Sequence, residues 1–243
     1  MSIVELRQYT LHPGTRETLI ELFEREFVTG QQAVGITLGG RFRDLDDPDR
    51  FVWLRTFPDM AHRRRALEAF YTGPVWREHR DTANATMIDS DDVLLLRGPG
   101  FTPEPGTSEV LATVCHPTDA ADFDAYAARH LGPEHALHRT EHAENDFPRL
   151  PVRTGRDVRI WFGPAEPAPW PTQRLRLEPV IAQTVPAPSW RSHASSTRNG
   201  SLKWSSTPTP SPSRPRDAAE PVPYDRPRSR TGERRNRTTE QPS

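Results

Sequence analysis

The chain has 243 residues, a length that suits one large or two small domains. Its mean hydropathy of −0.76 and its 26 prolines are too polar for a core along the whole chain, so part of it is expected to lie outside any core. The single cysteine excludes an intrachain disulfide, and the formal net charge of −1 gives no indication of a partner.

The sequence shows no basic and apolar leader and no long apolar run. We therefore expect a cytoplasmic protein with no membrane partner.

The first segment, residues 3–11, alternates with period two and predicts a strand. Val4 and Leu6 fall on one face; Ile3, Glu5, Arg7 and Tyr9 fall on the other. A Pro-Gly turn follows, and the period then changes to that of an amphipathic helix over residues 15–28.

Two strands are predicted next, at residues 35–43 and 50–57, with a bulge or close packing at Gly39-Gly40. Asp59 is placed to cap a helix, a second helical piece starts at residue 75, and residues 93–97 form a closing strand. This order of strand, helix, strand, strand, helix, strand predicts an α+β, ferredoxin-like βαββαβ domain over residues 1–97.

In that arrangement the first and third strands are neighbours. Glu5, Arg7 and Tyr9 are then expected to lie beside Trp53 and Arg55 on one sheet face. Charges on such a face are costly to bury, and a Glu5–Arg55 or Glu5–Arg7 ion pair would offset that cost.

Residues 2–97 resemble a NIPSNAP domain in four segments: ELRQYTLHPG at 5–14, RFVWLRTFPDM at 50–60, FYTGPVW at 70–76 and DVLLL at 92–96. The resemblance implies a subunit of the dimeric α/β-barrel superfamily, in which two ferredoxin-like sheets pack face to face. It therefore implies a homodimer through the sheet face that carries the large side chains. The family has no generally established reaction, and its relatives by fold include cofactor-independent and haem-degrading monooxygenases.

The second half begins after a linker at residues 98–108, rich in proline and glycine. A strand at 109–116, a helix at 118–131 and strands at 135–141 and 157–162 predict a truncated second βαββ repeat over 109–163. Residues 164–243 are rich in Pro, Arg, Ser and Thr and are predicted to be a disordered tail. Because the pattern stops in mid-domain, we hypothesise that this tail is a frameshift product.

The best candidate pocket consists of Glu5, Arg7, Tyr9, Trp53 and Arg55, with His79 from the second helical piece. Convergent polar groups among aromatic rings are typical of small-molecule sites. The alternative interpretation is a buried ion pair that sets the strand register or supports the dimer interface.

Other residues favour structural roles. His79, one helical turn after Trp76, suggests a haem ligand, but the sequence shows no second ligand for the iron. Cys115 is predicted to be a small buried hydrophobe. The run Arg63-Arg64-Arg65 is interpreted as a solvated face rather than a phosphate site, with no specific nucleic acid as partner. Four histidines span a helix end, a loop and a strand and need not converge on zinc: His130, His135, His138 and His142.

The sequence therefore predicts no metal and no cofactor and leaves two functions open. One is a small-molecule-binding or scaffold protein without catalysis, because no nucleophile, dinucleotide or phosphate motif is present. The alternative is a cofactor-free, monooxygenase-like enzyme acting on a small organic substrate.

Overall fold

The structure is a computed structural model that describes residues 1–155 and 157–180. The strands in this part of the chain are β1 Ser2–Leu11, β2 Thr37–Asp44, β3 Arg50–Phe57, β4 Met87–Gly98, β5 Val110–Cys115, β6 His138–Thr140, β7 Arg159–Phe162 and β8 Thr172–Pro179. The helices are α1 Arg16–Leu22, α2 Val28–Ala33, α3 Met60–Tyr71, α4 Pro74–Asn84 and α5 Ala120–His130. A π-helical segment, Phe23–Phe27, joins α1 to α2, and a 3₁₀ turn covers Pro133–His135.

The first half forms the predicted ferredoxin-like unit. Its strands lie in the order β4-β1-β3-β2, and β1 is antiparallel to both β3 and β4. The Asp59 side chain accepts a 2.7 Å hydrogen bond from His62 N and caps α3, as its position before the helix predicts. The two central strands that carry the candidate pocket are therefore neighbours.

The second half closes the sheet into a barrel within one chain. Its strands repeat the same order as β8-β5-β7-β6, and the halves join through β2–β8 and β4–β6. The packing of sheet on sheet that was predicted between two copies is made here between the two halves of one chain. It buries the face of Val4 and Leu6. The face with the large side chains, which was predicted to be the dimer interface, lies under the helices instead, so that choice of face is wrong.

The prediction of a second repeat without a closing strand is also wrong. Thr172–Pro179 pairs antiparallel with β5 along its length and with β2 at its end. Residues 163–171 join β7 to β8 without a helix, so α5 alone is the second half's counterpart of the two helical layers of the first. Residues 164–180 belonged to the tail that was predicted to be disordered, and they contain the strand β8 instead. The rest of the proposed tail lies outside the described residues.

The two faces of the sheet bury different chemistry. The barrel interior is aliphatic and phenyl, filled from the first half by Val4, Leu6, Phe42, Val52, Leu54, Leu94 and Leu96, and from the second by Val110, Ala112, Val114, Val158, Ile160, Phe162, Leu175 and Leu177. The outer face of β1 and β3 is covered by the helices of the first half and carries aromatic and charged residues. The interior thus holds the halves together, and the outer layer contains the candidate site.

Close backbone packing at Gly39 explains the predicted irregularity in β2. The register of β2 against β3 shifts between Leu38 and Arg41, and Gly40 N donates a 2.8 Å hydrogen bond to Phe101 O. A Cβ on Gly39 would lie 2.6 Å from that oxygen. The Phe101 ring stacks on Phe162 at 3.9 Å, so the linker segment is anchored to both halves.

Candidate functional site

The pairing of β1 with β3 brings the predicted pocket residues together. Glu5 is opposite Arg55 and Arg7 is opposite Trp53, as the alternation along both strands predicts. Tyr9 follows on the same face, where its ring meets Trp53 edge-on at a centroid distance of 5.9 Å. These five side chains share the outer face of β1 and β3 beneath the helices.

Glu5 is at the centre of a buried cluster of three arginines. Its carboxylate accepts hydrogen bonds from Arg7 Nη1 at 2.7 Å, Arg55 Nε at 2.8 Å and Arg63 Nε at 2.7 Å. All four residues are at most 1% exposed. The predicted Glu5–Arg55 and Glu5–Arg7 pairs are therefore both present, and a third guanidinium joins them.

Burial and the neighbouring charges shift the pKa values of three residues of this site: Glu5, Arg7 and Tyr9. Burial alone would raise the pKa of Glu5, but Arg55, Arg63 and Arg7 outweigh it and hold that pKa well below its ordinary value. Burial opposes the charge of Arg7, yet Tyr9 and Glu5 raise its pKa. Burial also raises the pKa of Tyr9, which stays a neutral phenol and accepts a 3.0 Å hydrogen bond from Arg7 Nε.

Arg63 is the member of this cluster that the sequence interpretation missed. It was predicted to belong to a solvated face with Arg64 and Arg65; the latter two are exposed, but Arg63 is fully buried. Its position on the helix carries the signal that was overlooked, because it lies four residues before Leu67 and so on the buried stripe of α3. In a run of basic residues on a helix, the exposure of each residue therefore has to be predicted separately from its position around the helix axis.

A loop from the second half covers this site. Asn145 and Asp146 accept hydrogen bonds from Arg63 Nη1 at 3.0 and 2.7 Å, and the Phe147 ring stacks on Tyr71 at 6.0 Å. We call residues 141–153 the covering loop. Its two ends are fastened to β4, since Glu141 N and Arg153 N donate to backbone carbonyls of Leu95 and Val93.

A small aromatic cavity lies beside the cluster. Its open volume is about 20 Å³, which is room for roughly one water molecule. The π-helical segment contributes Phe23 and Phe27, and such segments are often found at functional sites. The other lining residues are Arg7, Tyr9, Leu19, Gln31, Trp53, Phe70, Tyr71, Trp76, Met87, Ser90 and Leu150.

Three buried nitrogens of the site have no hydrogen-bond acceptor among the described residues: Trp53 Nε1, Arg63 Nη2 and Arg55 Nη2. Of these, Arg55 Nη2 still lies 2.7 Å from Glu5 Oε2 as an ion pair. Within the described part of the chain the charges are also unbalanced, because three guanidiniums are bonded to two carboxylates, Glu5 and Asp146. Arg7, the guanidinium that lines the cavity, lies over the rings of Tyr9 and Trp53 at 5.4 and 5.6 Å. The site can therefore donate hydrogen bonds and positive charge to a further group.

Of the predicted pocket residues, Glu5 and Arg55 lie in the cluster beside this cavity without lining it, and His79 does not line it either. Its Nε2 lies 3.6 Å from Glu26, and its ring contacts the outer side of the aromatic layer through Phe27 at 6.4 Å. The neighbouring Trp76, by contrast, does line the cavity.

The remaining predicted groups are distributed through the second half. His135 Nε2 and His138 Nε2 bond to the carbonyls of Pro164 and Pro99, at 2.9 and 2.6 Å, and His142 is exposed. Within residues 1–155 and 157–180, no three His, Cys, Asp or Glu side chains gather as a metal site. Cys115 is fully buried, as predicted.

The second half lacks an equivalent of the charged site. Thr113 is opposite Trp161 on β5 and β7, just as Arg7 is opposite Trp53 on β1 and β3. Two residues earlier on β5, Leu111 occupies the position that corresponds to Glu5. The outer layer of the second half instead holds a buried guanidinium, that of Arg159, over the Phe123 ring at 5.6 Å. Among the described residues, the Glu5 cluster therefore belongs to the first half, and the second half contributes the covering loop to it.

Comparisons with known proteins find similarity in the first half of the chain. Residues 4–103 match the NIPSNAP family model. A NIPSNAP-like domain protein of uncharacterised role from Burkholderia xenovorans is 28% identical, covering 42% of this chain and 90% of its own, with a TM-score of 0.38. A NIPSNAP family protein from Agrobacterium tumefaciens is 19% identical over 42% of this chain and 98% of its own, also with a TM-score of 0.38.

A longer match covers both halves of the barrel. A candidate monooxygenase from Fusobacterium nucleatum is similar over 74% of this chain and 93% of its own, with 8% identity and a TM-score of 0.50, a likeness of fold alone. Comparison with curated proteins finds no match. Among the described helices, none is both long and apolar enough to cross a membrane.

Proposed function

We propose that this chain, whose residues 4–103 match the NIPSNAP family model, is a small-molecule-binding protein whose ligand occupies the aromatic cavity beside the Glu5 cluster. The NIPSNAP proteins to which it is similar are of uncharacterised role or bear only the family name, so the proposal is argued from the site.

The observation that carries the proposal is the unpaired indole N–H of Trp53 in the wall of the cavity. A buried donor without an acceptor costs roughly 1–3 kcal/mol, and Trp53 is only 2% exposed. A ligand with an acceptor group would remove that cost, and the surrounding aromatic rings would bury its apolar part.

The covering loop is the part of the wall that has to move for a ligand to enter. The cavity holds about one water in the closed arrangement, and its other walls are strands and helices. Leu150 belongs to the covering loop and lines the cavity. Outward movement of this loop would enlarge the cavity without disturbing the barrel.

A thermal-shift screen of a metabolite library, run on matched tryptophan variants, tests the proposal. Trp53→Phe removes the indole N–H at the cavity, and Trp161→Phe removes the same unpaired group from the equivalent position of the second half. We expect ligands that raise the Tm of the wild type and of Trp161→Phe but lose most of that effect in Trp53→Phe. A screen without such ligands would instead support a purely structural role for the cluster.

The second candidate function is a cofactor-free oxygenase, favoured by the fold likeness to the candidate monooxygenase from Fusobacterium nucleatum. A fold does not determine a reaction, so a direct measurement has to decide. Each ligand from the screen is incubated with the protein in air while dissolved oxygen and the ligand are followed. Consumption of both by wild type, and not by Trp53→Phe, would favour the enzyme; an unchanged ligand would favour the binding protein.

A further inference from the structure

The ligand's chemical class can be inferred from the charges around the cavity. We infer that the ligand is a small organic monoanion, an acid whose carboxylate is held by Arg7 and Trp53 while its apolar part contacts the aromatic rings. This inference rests on the proposed function and adds the identity of the group recognised.

The first argument is the charge balance. Arg7, Arg55 and Arg63 are fully or almost fully buried. Among residues 1–155 and 157–180, the carboxylates bonded to them are those of Glu5 and Asp146. Buried charges in proteins are normally paired, because an unpaired one loses its hydration without compensation. A ligand with a single negative charge would balance this site, whereas a dianion would overcompensate it.

The second argument is the position of the donors. Arg7 and Trp53 are cross-strand partners, and both residues line the cavity. Arg7 uses Nε and Nη1 on Tyr9 and Glu5, while its Nη2 makes only a 3.4 Å contact with Ser90 O. A planar carboxylate can accept from a guanidinium and an indole together.

Asp146 occupies the opposite side of the cluster on the covering loop. Its side chain is 25% exposed and is bonded to Arg63, so it neutralises part of the positive charge from the solvent side. Replacing it by Asn keeps the shape and a carbonyl acceptor for Arg63 but removes the negative charge. An anion in the cavity would then be attracted more strongly, which is the opposite of what loss of a merely structural contact would produce.

The test is a titration of the protein with matched pairs of probes that differ only in charge, such as phenylacetate and phenylacetamide. Acids found in the screen, each with its amide, are titrated in the same way. We expect carboxylates to bind about tenfold more tightly than their amides, and Asp146→Asn to strengthen carboxylate binding by about three- to tenfold. The amides should be unaffected by Asp146→Asn, and Trp161→Phe should leave both series unchanged.

The outcomes separate this inference from the proposed function. The inference of an anionic ligand would be wrong if the ligands whose binding depends on Trp53 were neutral or cationic, or if amides bound as tightly as acids. The proposed binding site would remain supported in both cases. Carboxylate binding that weakens in Asp146→Asn would also overturn the inference of an anionic ligand. If neither the probes nor the library shows binding that depends on Trp53, both the inference and the proposed function fail.

Discussion

Arg63 on α3 donates a 2.7 Å hydrogen bond to Glu5 on β1, across 58 positions of sequence, with both side chains fully buried. This contact fastens the helical layer to the centre of the sheet. Because of it, the Glu5 carboxylate pairs with three guanidiniums at once, so we expect Glu5 to contribute more to stability than any one of the arginines.

Loss of the carboxylate should therefore cost more than loss of one arginine. Glu5→Gln leaves Arg7, Arg55 and Arg63 without a buried anion, and we expect the free energy of unfolding to fall by about 3–5 kcal/mol. Arg63→Met removes a charge-assisted hydrogen bond but also reduces the positive excess, so about 1–3 kcal/mol is expected. Urea unfolding measures both, and Arg64→Met, on the exposed side of the same helix, should change stability by less than about 0.5 kcal/mol.

The order of these effects is the decisive result. If Arg63→Met destabilises the protein more than Glu5→Gln, the cluster does not carry a positive excess in solution.

The lowered pKa of Glu5 predicts loss of stability in acid. A carboxylate whose pKa is lower in the folded than in the unfolded protein stabilises fully above its ordinary value of 4.5, and loses this contribution as the pH falls below it. One proton taken up on unfolding gives a slope of about 1.4 kcal/mol per pH unit. In urea unfolding from pH 6 to pH 3, Glu5 should contribute nothing until the pH falls to about 4.5, and a slope that approaches this value below it. Glu5→Gln should lack this part of the slope; equal slopes below pH 4.5 would contradict the assignment.

The fold of the first half could be predicted from the sequence because its patterns are local. Strand alternation around Glu5, the Asp59 cap and the Gly39-Gly40 irregularity each act within a few residues, and their order specifies the ferredoxin-like unit. The second half was harder, because β6 is only three residues long and β8 lies in a proline-rich region. Its closing strand is recognisable only through long-range pairing with β5 and β2.

The site was predictable where it depends on register and not where it depends on tertiary contacts. Opposing strands placed Arg7 beside Trp53 directly. The covering loop, with Asp146, comes from another repeat, and no spacing in the sequence relates it to Arg63. The closed barrel depends on the same kind of information, because no local pattern in the sequence shows that the second half of the chain packs on the face of Val4 and Leu6.

The closing strand β8 can be tested by two substitutions within it. Leu177 is fully buried in the barrel interior, whereas Arg174 on the opposite face is exposed. We expect Leu177→Ala to lower the free energy of unfolding by about 2–5 kcal/mol, as for other buried leucines, and Arg174→Ala to change it by less than about 0.5 kcal/mol. Equal, small effects would mean that this segment is not part of the folded barrel.

Cys115 should be unreactive in the folded protein. Burial raises the pKa of its thiol to about 11, and the thiolate is the form that attacks disulfide reagents. At pH 8, Ellman's reagent should titrate one thiol only when urea unfolds the chain, and the rate should follow the unfolded fraction. Rapid stoichiometric reaction without urea would show that β5 is accessible from outside.

Leu150 links the covering loop to the capacity of the cavity. Its side chain is 4% exposed and lines the cavity, so Leu150→Ala should lower the free energy of unfolding by about 2–5 kcal/mol and open space for a larger ligand. We expect the variant to bind bulkier members of a ligand series more tightly than wild type while the smallest member gains nothing. Leu177→Ala is the matched control, because it removes the same atoms from the barrel interior and should change no ligand preference. If both variants shift the series alike, a general loosening of the protein explains the effect, and Leu150 does not limit the size of the ligand.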